Sequence, residues 1–181
     1  MDYISPKEIA AAQKWDRRFL DMAELVASWS KDPRTRVGCV AVKDRRVVST
    51  GYNGFPSGVR DTEDRLTDPE TKYKLVVHAE VNALYSAAKN GVSLEGATLY
   101  VHGLPCCHDC AKAIVQSGIA SVHMEYGTML DKWRESFEWS KLIFAEGGVQ
   151  FRCTESGTGL PDGPHREPRG PGPGDEPVGE P

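Results

Sequence analysis

The sequence predicts an α/β fold of three layers, with a mixed five-stranded sheet covered by helices on both faces. Three observations predict it. Two adjacent strand-like runs, 37–42 and 46–50, come early and read as a hairpin. Three further strand-like runs then alternate with helical runs. The helical runs carry apolar residues near a 3.6-residue period.

Taken in order, Ser5 and Pro6 open a helix whose stripe is Ile9, Trp15, Phe19, Met22, Ala23, Val26 and Trp29. It should stop before SKDP, because Pro33 cannot continue a helix. RVGCVAVKDRRVVSTGYNG supplies the two hairpin strands and a short polar turn between them. Glycines and polar residues over 51–71 read as one long loop, the kind of segment that carries function. A helix follows over 79–89, a strand over 97–102, a helix over 107–117 and a strand over 120–124. DKWRESFEWSKLIFAEGG makes a last helix closed by glycines, and VQFRC a last strand. Trp15, Trp29, Trp133 and Trp139 lie on helical stripes, where core or subunit packing accounts for them without a ligand role.

Residues 154–181 are half Gly and Pro and hold little that is apolar, so they are expected to form a disordered acidic tail behind a folded domain of 1–153. Their six acids and two bases account for the whole net charge of −4, and residues 1–153 balance at zero. That balance offers no basic platform for nucleic acid and favours small-molecule chemistry. No run approaches the roughly 20 apolar residues of a membrane span, and the N-terminus has no apolar signal core, so a cytoplasmic protein is expected. Five cysteines, three of them within positions 106–110, do not make a disulfide framework.

Those three cysteines stand in LPCCHDCAK, and His78, Ala79 and Glu80 stand at the start of the preceding predicted helix. Catalytic zinc takes imidazole and thiolate ligands and keeps one position open. His78, Cys107 and Cys110 supply three ligands from two helix starts, where a thiol loses its proton readily. Cys107 and Cys110 share one face of a helical turn, whereas Cys106 precedes them and should point elsewhere. His108 is the rival fourth ligand, but inside the CxxC it should face solvent. Glu80, two residues from His78, suits a proton shuttle between a zinc-activated water and a leaving group. HxE with PCxxC is the signature of zinc nucleobase deaminases. The carboxylate argues against a purely structural zinc knot or a non-catalytic nucleotide sensor.

Beyond the zinc motif, SKDPRTRVGCVAV, GYNGFPSG, TKYKLVVHAEVNAL, GATLYV, CHDCAKAIVQSGI and GGVQFR resemble, in the same order, segments of the cytidine and deoxycytidylate deaminase superfamily, most closely its deoxycytidylate deaminase branch. The resemblance covers about residues 13–152. It implies the cytidine-deaminase-like fold, Zn2+ on His78, Cys107 and Cys110, and Glu80 as proton shuttle. It also implies hydrolysis of dCMP to dUMP and ammonia, which feeds thymidylate synthesis, with other cytosine nucleotides, nucleosides or modified bases as alternative substrates. Asn53 is the implied sugar contact. For the phosphate the sequence offers Ser30 and Lys31 foremost, then Arg60, Lys72 and Lys74. Members of this branch form hexamers and respond to dCTP and dTTP near the GYNGxPxG loop, so a homo-oligomer is expected, with Gly54, Pro56 and Gly58 shaping an effector site. The chain departs from the family at Cys106, where Pro is usual, and at Tyr126, which lies off the register of the family's tyrosine near the nucleotide. Replacing Cys107 by Ser is expected to abolish zinc binding and turnover. Cys106→Ser or Cys106→Pro should keep both, and the zinc content of the purified variants decides the matter.

Overall fold

A computed structural model describes residues 6–127 and 131–155, so that 156–181 of the expected tail lie outside the described residues. Helix α1 (Pro6–Ala27) is followed by the antiparallel pair β1 (Gly38–Lys43) and β2 (Arg46–Tyr52). Asp44 and Arg45 join these strands at φ 51° and 60°. Two central residues with positive φ twist a hairpin turn to match its strands. The remaining elements are α2 (Glu63–Thr67), α3 (Pro69–Leu75), α4 (Ala79–Lys89), β3 (Thr98–Gly103), α5 (His108–Gln116), β4 (Ser121–Tyr126), α6 (Asp131–Glu146) and β5 (Gln150–Glu155).

The sheet runs β2-β1-β3-β4-β5, antiparallel across β1 and parallel from β3 to β5, which is the mixed five-stranded sheet expected. Alternation along each strand sorts the core. Val40, Val42 and Tyr100 face α1 and meet Phe19, Leu20, Ala23 and Val26, while Cys39, Ala41, Leu99, Val101 and Val122 face α4, α5 and α6. One helix therefore covers one face and three cover the other. On the α1 side, Arg17 grips the Glu125 carboxylate of β4 with both terminal nitrogens, and Tyr100 Oη donates to Asp16 Oδ1 at 2.8 Å.

Two expectations are corrected. The stretch 51–71 is not one loop, because α2 lies inside it and α3 starts there. Helices this short carry no readable apolar period, and α3 is fixed instead by Pro69 in its first turn and by Asp68, whose carboxylate accepts the Thr71 N–H at 2.9 Å. The α1 stripe is narrower than read, since Met22 is exposed and Trp29 lies exposed beyond the helix end. Trp139 is exposed on α6 as well.

The close seating of α4 on β2 matters most for the site. A Cβ on Gly51 would overlap the Ala79 carbonyl and the Ala83 amide, so only glycine lets the first turn of α4 lie against the strand. Asn82 adds a bond from its side-chain amide to the Tyr52 carbonyl at 2.8 Å. Gly51→Ala is expected to cost about 2 kcal/mol, the order of an overpacked core. Urea melts of the variant and parent check this.

Candidate active site

His78 is the N-cap of α4 and Cys107 the N-cap of α5, so the two helices begin side by side with their unpaired N–H groups turned toward one place. His78 Nδ1 lies 3.3 Å from Cys107 Sγ and 3.4 Å from Cys110 Sγ, and the three donor atoms are all within 4.8 Å of one another. Cys107 Sγ also accepts the Cys110 N–H at 3.5 Å, as a capping side chain does. The hydrogen bond from Cys110 pulls the Cys107 thiol down to about 4 against the effect of burial, with His78 adding to the pull. His78 is raised to about 9, first by its hydrogen bond to Cys107. Two sulfurs and an imidazole nitrogen, one sulfur already anionic, form a donor set that fits zinc.

His108 does not join them: its Nδ1 lies 2.8 Å from Ser136 Oγ on α6, which also accepts the His108 N–H. The side chain is tied to α6 while remaining 45% exposed, so it stays out of the cluster as expected. Cys106 is fully buried in the core, where its carbonyl accepts from Ser140 Oγ at 2.8 Å and its thiol hydrogen-bonds Glu80. Glu80 is 3 % exposed in the first turn of α4. Burial pushes its carboxyl above the ordinary value, against the pull of His78 and the hydrogen bonds from its own N–H and Cys106.

These groups open into a cavity of about 600 Å³ lined at one end by His78, Glu80 and Cys107. Its wall also holds Arg34, Arg36 and Lys132, none of which forms an ion pair among the described residues. Tyr73 and Trp133 line it too, with ring centroids 6.3 Å apart and edge to face, so Trp133 is a wall of this cavity rather than a core residue alone. Arg34 and Arg36 are legible in hindsight only as two cations two apart in PRTR, since the chain bends at Pro33 and Arg34. Tyr73, Lys132 and Trp133 left no such signal, because their cavity forms only where α3 meets the start of α6.

Ser30 is buried, and its hydroxyl donates to the Asn53 carbonyl at 2.8 Å. Lys31 is exposed and pairs with Asp61 at 2.9 Å, on the rim of a second cavity of about 130 Å³. Asn53 borders both cavities; its Oδ1 accepts the Val37 N–H at 2.8 Å and its Nδ2 donates to the Thr35 carbonyl at 2.9 Å. Gly54 lines the smaller cavity and exchanges two backbone bonds with Val77, just before His78. Pro56 and Gly58 form the turn beyond, closed by the Val59 N–H on the Pro56 carbonyl at 2.9 Å, with Gly58 at φ 85°. Arg60 and Lys74 do not line the larger cavity, whereas Lys72 does.

A five-stranded mixed sheet with a His–Cys–Cys donor cluster and a buried glutamate at two helix starts defines a zinc hydrolase of the deaminase class. The family model for the cytidine and deoxycytidylate deaminase zinc-binding region matches residues 13–126. The chain is 37% identical over 163 residues to human deoxycytidylate deaminase, covering 84% of this chain and 86% of that one. It is 44% identical over 139 residues to an uncharacterized deaminase in the luxG 3′ region of Aliivibrio fischeri, covering 76% of this chain and 91% of the other. The dCMP deaminase of cyanophage S-TIM5, solved with dCMP and dUMP, superposes with a TM-score of 0.61 at 29% identity, over 84% of this chain and all of that one. The chain belongs to the cytidine and deoxycytidylate deaminase family.

Asp32 sits behind this site, 4 % exposed and paired with the Lys72 ammonium. Burial raises its carboxyl, but Lys72 and the Arg34 and Thr35 N–H groups outweigh burial and hold it below the ordinary 3.8. A carboxyl depressed in the folded state stabilises above its unfolded pKa, and the contribution is lost as pH falls through the folded value. Acid unfolding followed by tryptophan fluorescence should therefore show a shallower loss of stability below about pH 4 in Asp32→Asn than in the parent.

Proposed function

We propose that this protein hydrolyses dCMP to dUMP and ammonia, supplying dUMP for thymidylate synthesis. One observation carries the reading: a single cavity is lined both by His78, Cys107 and Glu80 and by Arg34, Arg36 and Lys132, which form no ion pair among the described residues. A base fits the first and a phosphate the second. His78, Cys107 and Cys110 hold the zinc. Bound zinc acts as a Lewis acid that makes a water nucleophilic near neutral pH.

Glu80 does the proton work. Water oxygen bonds to C4 of cytosine; Glu80 takes the two protons of that water in turn, delivering the first to N3 and the second to the amino group, and the C4–N bond breaks as the C4 carbonyl forms, releasing ammonia. Burial keeps Glu80 clear of bulk water, and the first turn of α4 holds it beside His78. We place the phosphate on Arg34, Arg36 and Lys132, which line the larger cavity without an ion pair, rather than on Ser30 and Lys31, which do not line it and of which Lys31 is paired with Asp61. Asn53 Oδ1 keeps a lone pair for a sugar hydroxyl beyond the Val37 N–H it accepts. Tyr73 and Trp133 supply flat apolar wall.

The reading extends to assembly and control. Response to dCTP and dTTP around Gly54, Pro56 and Gly58 is part of it, as is a homo-oligomer such as a hexamer. A cavity of about 130 Å³ is too small to enclose a nucleoside triphosphate, so an effector site there needs walls from outside the chain. Exposed Trp29 and Tyr52 beside it, 6.2 Å apart, suit a subunit contact. Five free cysteines suit the reducing cytoplasm, and no described helix is long and apolar enough to cross a membrane.

Ammonia release from a panel of cytosine nucleotides and nucleosides, with and without dCTP and dTTP, tests substrate and control together. Activity on another base with none on dCMP sinks the reading. Glu80→Gln is expected to keep its zinc while losing about 10³-fold in kcat, the scale of general acid–base catalysis. Survival of turnover in that variant removes Glu80 from the mechanism.

A further inference from the structure

We infer that the buried Asp32–Lys72 ion pair is a positioning device that holds the 32–37 segment, and with it Arg34 and Arg36, in place to meet the substrate phosphate. The inference rests on the proposed phosphate contacts and adds to them a pair that need not touch substrate. The Asp32 carboxylate gathers four donors. Oδ1 accepts the N–H groups of Arg34 at 2.9 Å and Thr35 at 3.1 Å, while Oδ2 accepts from Lys72 Nζ and, at 3.4 Å, from Asn53 Nδ2.

Asn53 completes the clamp through Val37 and Thr35, so the segment is held at 34, 35 and 37 from two side chains. Gly103, at φ 115°, lets the end of β3 come against the Arg36 carbonyl, where any Cβ would collide. The result is a backbone with little freedom carrying two exposed cations into the cavity.

Lys72 gives the arrangement its reach. It is 6 % exposed on α3, four residues before Val76, and its carbonyl accepts the Val76 N–H at 2.8 Å at the helix end. Val77 is then pinned to Gly54, and His78 follows. The pair therefore ties the segment bearing the arginines to the segment that delivers a donor of the metal cluster. Asp32, Asn53, Lys72 and Val76 also line both cavities and form the partition between them. An ion pair removed from water is a poor source of stability compared with apolar packing, but it is geometrically exacting, which suits positioning.

Steady-state kinetics of the zinc-loaded full-length protein on dCMP and deoxycytidine decide this, read as the ratio of the two kcat/KM values beside thermal melts. Arg34→Ala/Arg36→Ala tests the phosphate contacts alone: an unchanged ratio defeats that reading and this inference with it. With the ratio lost in that variant, Lys72→Met and Asp32→Asn are each expected to lower it about tenfold, the scale of one charge-assisted hydrogen bond. Both also melt lower, because each leaves a buried charge unpaired. The double variant Asp32→Asn/Lys72→Met leaves none; it should regain most of the melting temperature but not the ratio. Recovery of both together would make the pair purely structural and overturn the inference. So would a sharper preference for dCMP in Asp32→Asn, since the freed Lys72 would then be binding phosphate itself.

Discussion

Two sulfurs and one imidazole nitrogen, drawn from two helix starts to within 4.8 Å, are the constraint on which the rest of the structure depends. Side chains as short as Cys and His cannot span a gap, so α4 and α5 must begin almost in contact. The sheet enforces this. β2 carries Gly51 where α4 seats, and β3 ends at Gly103 just before the loop that leads to Cys107. Both helices then present unpaired N–H groups to the same point, a field that favours thiolate over thiol. The same first turn of α4 that brings His78 to the cluster also buries Glu80 behind it, so one backbone decision fixes a metal donor and a proton carrier together.

The parts of this molecule legible in its sequence are those with a local period or a short spacing. The hairpin, the alternating units and the order of strands follow from apolar alternation and turn residues, and the donor cluster from HAE and CHDC. What escaped is what depends on partners far apart in the chain. Lys72 looks like one more surface lysine among Lys72 and Lys74, until Asp32 is brought under it across the sheet edge. Trp133 fits a helical stripe equally well whether it packs inward or walls a cavity, and only the meeting of α6 with α3 decides between them. The short helices α2 and α3 hold five and seven residues, too few to leave a stripe to read, and α3 is fixed by its Asp68 cap.

Charge is unevenly placed within the cavity. Buried Glu80 lies beside the donor cluster, while the exposed Arg34, Arg36 and Lys132 make another part of the wall cationic. The two regions come from different chain segments: helix starts hold the first, and the clamped loop after α1, with the start of α6, holds the second.

The cationic wall has a consequence for the other half of the catalytic cycle. Deamination alters one substituent on the pyrimidine ring and leaves the phosphate as it was, so on the proposed contacts the groups that capture dCMP grip dUMP with the same strength. Nothing in that wall can tell that the reaction is over. Release must then be prompted at the base, where the amino group proposed to meet Glu80 has become a carbonyl. The tighter the arginines hold on entry, the longer the spent nucleotide lingers, and the clamp that sharpens selection also sets a ceiling on turnover.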